Sequence, residues 1–82
     1  MTIQDSVRDI LSHMTTEEKA RIRSAKERDL IQLYLDLGVG IRNRYGLWRG
    51  NDRLILSACG YPCHPDDAAL KIVEALWREL RR

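Results

Sequence analysis

Residues 30–48, LIQLYLDLGVGIRNRYGLW, decide the fold of this 82-residue chain. Gly38 and Gly40 lie inside the segment, and each costs up to about 1 kcal/mol relative to Ala in a helix interior. They could end a helix at Leu37. We expect the helix to continue, because Gly46 followed by Leu47 supplies a left-handed stop further along the chain. In that case the two glycines allow a neighbouring backbone to approach closely. Apolar side chains at three- and four-residue steps predict one face of that helix: Leu30, Leu33, Tyr34, Leu37, Ile41 and Tyr45.

Shorter helical patterns flank this segment on both sides. Thr15 and Glu18 have the spacing of a capping box, in which side chains satisfy the free amides of a helix start. Asn51 or Asp52 suits the start of a short helix, and Pro65 suits the first turn of the last one. The sequence predicts an all-α, compact bundle of four to five helices, with residues 1–82 as a single domain. Outside the central segment the expected helices cover residues 3–13, 16–25, 53–59 and 65–80.

Composition and charge exclude several classes of protein. The formal net charge is only +2, and residues 38–63 hold four arginines against Asp52 alone. The small net charge alone does not imply nucleic-acid binding, and the mixed charge of the first and last helices disfavours DNA binding, which needs a basic stripe. No run of about 18 apolar residues occurs, so a membrane helix is not expected. Residues 1–5 lack the basic and apolar regions of a signal peptide. We therefore expect a cytoplasmic protein, in the host cytoplasm if phage-encoded, with reduced cysteines.

Two sequence blocks resemble a family of small prokaryotic and phage-encoded domains of unknown function. The first is IRNRYGLW at residues 41–48, and the second is HPDD at 64–67, followed by an Ile-x-x-x-Leu-Trp stretch. The resemblance covers roughly residues 29–80, so residues 27–82 form a family-like core behind the short N-terminal helices of residues 1–26. Relatives often have Ser shortly after HPDD, and His where Tyr34 stands here. The resemblance implies a helical fold and a bacterial or phage origin, without an activity.

The arginine-rich end of the long helix is the main candidate site. A guanidinium pairs with carboxylates or phosphates, and an indole stacks on bases. Trp, Tyr and Arg are also the usual anchors of protein interfaces. The alternative is structural: Asn43 caps backbone groups, Trp48 belongs to the core, and one arginine pairs with Asp66 or Asp67. The candidate ligand- or partner-binding residues are Arg42, Asn43, Arg44, Tyr45, Trp48, Arg49 and Arg53.

His64, Asp66 and Asp67 are secondary candidates at the start of the last helix. Paired carboxylates can serve catalysis or magnesium binding. Acidic residues straight after Pro65 have a simpler role in the first turn, where they complement the helix dipole. His64 is either the helix cap or a pH-sensitive contact. We expect structural capping and assign no catalytic residue.

Cys59, Cys63 and His64 are the only residues with a spacing that resembles a zinc site, with His13 as a possible fourth ligand. Structural zinc sites usually present a second clear pair of ligands, which this chain lacks. We expect no metal and no disulfide, with Cys59 packed as a small apolar residue and Cys63 in a loop.

These observations favour a non-enzymatic binding module that uses no cofactor. The expected partner is an acidic protein surface or a second copy of the chain, and an inhibitor or anti-defence role fits a phage protein. The alternative is sequestration of a small anionic ligand, such as a nucleotide messenger, by the arginine and tryptophan side chains. DNA binding through a short helix pair ranks below both.

Overall fold

Five α-helices connected by short turns make up the chain. The computed structural model describes residues 1–82, apart from the side chain of Trp48. Short 3₁₀ turns precede and follow the third α-helix, at Glu27–Asp29 and Leu47–Arg49. The all-α bundle expected from the sequence is confirmed. The α-helices are α1 (Ile3–Ser12), α2 (Thr16–Ser24), α3 (Leu30–Arg44), α4 (Asp52–Cys59) and α5 (Pro65–Leu80).

Side-chain caps set the starts of the helices. The expected capping box of α2 is confirmed: the backbone N–H of Glu18 donates to the Thr15 hydroxyl, and the Glu18 carboxylate accepts from the Thr15 N–H. Thr2 and Asp5 form a second box at the start of α1. Asn51 caps α4 through its side-chain oxygen. These contacts satisfy backbone donors that a helix start leaves unpaired.

Helix α3 runs unbroken through both of its glycines, as the sequence predicts. The group that lies close to Gly38 is not the neighbouring backbone expected from the sequence. A Cβ on Gly38 would lie 2.8 Å from Cε1 of the Tyr34 ring, so the aromatic ring of the same helix covers this glycine instead of a neighbouring backbone. Gly40 faces open space, with no atom within 4 Å of a Cβ built there. The stop is confirmed, since Gly46 is left-handed and Leu47 is buried.

Helix α5 is the centre of the bundle and contacts each of the other four helices. Trp77 ties α5 to the end of α2, because its indole N–H donates to the Ala25 carbonyl at 2.8 Å. The C-terminal turn is held by Arg81, which donates to the same carbonyl at 3.0 Å. None of the five helices is both long and apolar enough to cross a membrane. The residues of α5 that are fully buried in the core are Ala68, Ala69, Ile72, Val73 and Leu76.

The two cysteines differ from the expectation of reduced thiols. Cys59 ends α4 and Cys63 lies two residues before α5, and the two form a disulfide with their Cα atoms 6.3 Å apart. The expectation of unpaired cysteines was therefore wrong. A gap of three residues closed by the left-handed turn at Gly60 brings the side chains together. Sulfur atoms bonded to each other are not thiolate ligands, so this pair does not supply a zinc site.

Candidate functional site

The Arg42 side chain contacts other residues of the same chain and is not presented to a partner. Its Nη1 lies 2.9 Å from Oδ1 of Asp66 on α5 and donates to the Tyr34 hydroxyl at 2.8 Å. Only 18% of its side chain is exposed. The structural alternative, in which an arginine pairs with Asp66, is the one found. Arg42 therefore joins α3 to the start of α5, and its guanidinium is not available as a free anion-binding group.

Arg44 and Tyr45 converge on Asp9 of α1. Arg44 Nε donates to Asp9 Oδ2 at 2.9 Å, and the Tyr45 hydroxyl donates to the same oxygen at 2.6 Å. The hydrogen bond from Arg44, with that from Tyr45, lowers the pKa of Asp9 to about 2. Burial and the Asp9 carboxylate raise the pKa of Tyr45 to about 12. This cluster stabilises the α1–α3 contact, so Tyr45 is a buried anchor and not a binding platform.

Asn43, Arg49 and Arg53 remain exposed at the same end of the molecule. Within the described part of the chain, the side chains of these three residues form no hydrogen bond or ion pair. The side chain of Trp48 lies outside the described residues, so its predicted stacking role stays a prediction. The candidate segment therefore divides into residues that hold the fold and residues that are available for contact.

The outer face of α3 carries an apolar surface that sequence reasoning missed. Ile31, Leu35 and Val39 have exposed fractions of 65%, 62% and 56%. Their four-residue spacing places them on one face of the helix, and Asn43 continues that face by one more turn. We call Ile31, Leu35 and Val39 the α3 ridge. The sequence shows that these residues are apolar and follow a helical period, but it does not show that the other helices leave them uncovered.

The start of α5 is occupied by capping contacts. Nδ1 of His64 accepts a hydrogen bond from the backbone N–H of Asp66 at 3.0 Å, so His64 is the helix cap. Asp66 is also the ion-pair partner of Arg42, and Asp67 lies in the first turn. Among the described residues, no group of three or more His, Cys, Asp or Glu side chains could hold a metal ion.

Two concave regions border helix α1, one away from the predicted segment and one beside it. A groove of about 490 Å³ lies between α1 and α5 and has Arg8, Arg78 and Arg82 among its lining residues. A cleft of about 340 Å³ lies between α1 and α3, where Gly40 and Arg44 are among the lining residues. The sequence assigned no binding role to these three arginines, because they lie far apart along the chain and both α1 and α5 carry mixed charge.

Comparison with known proteins supplies a family without an activity. A family model described as a domain of unknown function (DUF6794) matches residues 1–80. No curated protein matches the chain, and no solved structure does. The expectation of a family of unknown function is confirmed, and the match includes the two N-terminal helices as well as the expected core. The all-α chain described above belongs to the DUF6794 family.

Proposed function

We propose that this protein is a non-enzymatic binding module that acts by contact with another protein. The observation that carries the proposal is the α3 ridge, where Ile31, Leu35 and Val39 are each more than half exposed. Single exposed aliphatic residues are ordinary on protein surfaces, whereas adjacent ones on one helix face are typical of an interaction site. The proposed contact surface is this ridge together with Asn43, Arg49 and Arg53 beyond its end.

The shape and charge of the surface indicate the kind of partner. Eight residues separate Ile31 from Val39, so the ridge is about 12 Å long. Anchors at successive turns of one helix face suit an apolar groove on the partner. Arg49 and Arg53 carry positive charge with Asp52 as the only acid in residues 38–63. An apolar groove edged by carboxylates complements both features.

Self-association fits the ridge less well. An antiparallel pair of α3 helices centred on Leu35 would place Ile31 opposite Val39 of the second copy. Three aliphatic side chains from each copy cover far less than the roughly 800 Å² per partner of a standard interface, whereas a groove on another protein can enclose the ridge on both sides. We therefore favour a different protein as the partner.

The nucleotide alternative loses two of the four candidate arginines to internal contacts. Arg42 pairs with Asp66 and Arg44 pairs with Asp9, which leaves Arg49 and Arg53 without a described stacking partner. DNA binding has no basic stripe to support it. An inhibitor or anti-defence role, a bacterial or phage origin and a cytoplasmic location belong to the proposal as its biological setting.

Photo-crosslinking in cells of the source organism tests the proposed surface. Benzoylphenylalanine replaces Leu35 in one variant and Leu56 in the control, because Leu56 is a 46% exposed leucine on α4. We expect position 35 to capture one discrete protein and position 56 to capture none. With that protein purified, Leu35→Asp should weaken binding at least about tenfold, as expected for an interface anchor, and Leu56→Asp should not.

Two results would contradict this function. One is equal capture from positions 35 and 56, which would show that the ridge has no special role. The other is capture of a second copy of this chain from position 35, accompanied by a dimer in native mass spectrometry that Leu35→Asp dissolves. That second result would replace the foreign partner with self-association.

A further inference from the structure

The groove between α1 and α5 combines an apolar floor with a cationic rim. Val7 is buried at its base, and the half-buried Ile3, Leu11 and Ala75 complete the apolar part. Arg8 on α1, Arg78 on α5 and Arg82 just beyond the end of α5 bring three guanidiniums to the rim, and each has one carboxylate nearby, from Asp5, Glu74 and Glu79 respectively. We propose that this groove binds a small amphiphilic anion, an alkyl chain that ends in a carboxylate or a phosphate.

The floor matches the chain of such a ligand. Ile3, Val7 and Leu11 follow one another at four-residue steps along α1, which makes an apolar track about 12 Å long. An extended octyl chain with its head group has a comparable length. The volume of about 490 Å³ lies within the range of small-molecule sites, roughly 300–1,000 Å³. Ala75, a small residue on the opposite wall, leaves room for the chain.

The rim matches the head group. The side chains of Arg8, Arg78 and Arg82 are 79%, 67% and 77% exposed. Each pairs with a carboxylate three or four residues earlier in the chain, at 3.9 Å for Arg8, 3.4 Å for Arg78 and 3.0 Å for Arg82. Exposed pairs of this kind hold a side chain weakly. The guanidiniums are therefore available to an anion, with which they form stronger charge-assisted hydrogen bonds.

The contrast with the other arginines supports a ligand at this groove. Arg42 and Arg44 each cross to a different helix, where they meet Asp66 and Asp9. The three groove arginines have no such ion pair in the described structure, and they lie around apolar surface that an ordinary hydrated anion would not cover. An anion with an apolar body satisfies both parts of the groove at once. This site does not involve the α3 ridge and does not depend on the function proposed for it.

Titration of the 82-residue chain, followed by amide NMR shifts, tests the proposal. The probes are octanoate and octyl phosphate, which separate the two head-group chemistries, with octanol and octyltrimethylammonium as neutral and cationic controls. We expect one or both anions to shift amides of α1 and the end of α5 saturably. The two controls should bind at least about tenfold more weakly, because they form no charge-assisted hydrogen bond with arginine.

Matched double variants assign the effect to the groove. Arg78→Gln with Arg82→Gln should weaken binding of the anion about tenfold or more. Arg49→Gln with Arg53→Gln removes the same net charge elsewhere and should leave binding unchanged. Thermal unfolding of both variants checks that each remains folded. Equal binding of octanol, equal weakening by the two double variants, or no saturable shift with either anion would overturn the proposal.

Discussion

The hydroxyl of Tyr45 donates a 2.6 Å hydrogen bond to the carboxylate of Asp9, across 36 residues of sequence. The same carboxylate oxygen accepts from Arg44 Nε at 2.9 Å, so one acid on α1 receives two donors from the end of α3. The Tyr45 hydroxyl also lies 3.2 Å from the Ser6 carbonyl oxygen. Two residues with the chemistry of a binding surface are thus used to join two helices of the bundle.

The first prediction concerns the acid stability of this cluster. The pKa of Asp9 is about 2 in the folded protein, against an ordinary value of 3.8. As the pH falls, the unfolded chain binds this proton before the folded chain does. The stabilisation from Asp9 is therefore complete above about pH 4 and lost as the pH falls towards 2. Asp9→Asn should lower the melting temperature at pH 6 and have a much smaller effect near pH 2.

Comparison of the two proteins over the same pH range isolates this residue. Capping hydrogen bonds also lower the pKa values of Asp5 and Glu18, so both proteins lose stability in acid for those reasons. The difference in melting temperature between them removes that shared background. A difference that stays constant from pH 6 to pH 2 would mean that Asp9 does not titrate as the cluster requires.

The second prediction separates the structural arginines from the exposed ones. Arg42→Gln should lower the free energy of unfolding by about 1 kcal/mol, because it removes charge-assisted contacts to Asp66 and Tyr34 from a mostly buried side chain. Arg53→Gln removes the same charge from an exposed position on α4 and should change stability by less than about 0.5 kcal/mol. Urea unfolding at neutral pH measures both values. Equal effects of the two substitutions would contradict the division made here between Arg42 and Arg53.

The sequence predicts the helices well because their signals are local. The Thr15 capping box, the left-handed Gly46 and Pro65 in the first turn each depend on residues a few positions apart. The partners of the arginines are not local. Arg44 meets an acid 35 residues away, and no pattern within α3 indicates which acid the folded chain brings to it.

The exposed surfaces were missed for a related reason. Helix α3 has more regularly spaced apolar residues than one helix face can bury. The sequence does not show which of these residues the other helices cover. Ile31, Leu35 and Val39 became identifiable as a ridge only when α5 and its neighbours were seen to pack on the opposite side. The groove arginines were missed because Arg8 and Arg78 belong to different helices that are far apart in the sequence, and both helices carry mixed charge.

The third prediction uses the two helical glycines as a matched pair. Gly40→Ala should raise the free energy of unfolding by about 0.5–1 kcal/mol, because alanine favours the helix and a Cβ at this position meets no atom within 4 Å. Gly38→Ala gains the same helical preference, but its Cβ would lie 2.8 Å from the Tyr34 ring. The ring would have to move and weaken its contact with Arg42. We expect Gly38→Ala to be destabilising overall.

Thermal and urea unfolding of the two variants measure these opposite signs. A Tyr34→Ala background supplies the control, because removal of the ring also removes the clash. In that background, Gly38→Ala should become stabilising, as Gly40→Ala is in the wild-type chain. A Gly38→Ala variant that is more stable than the wild type with Tyr34 present would show that the ring does not require glycine.

The fourth prediction concerns the disulfide between Cys59 and Cys63. Closing so short a loop restricts the unfolded chain only modestly, so reduction should lower the free energy of unfolding by about 2 kcal/mol at most. Urea unfolding with and without dithiothreitol measures the difference. A variant with Cys59→Ser and Cys63→Ser should unfold like the reduced wild type and should not respond to the reductant. Two titratable thiols in the protein as purified in air would instead favour the reduced cysteines expected from the sequence, since the bonded pair has no thiol to react.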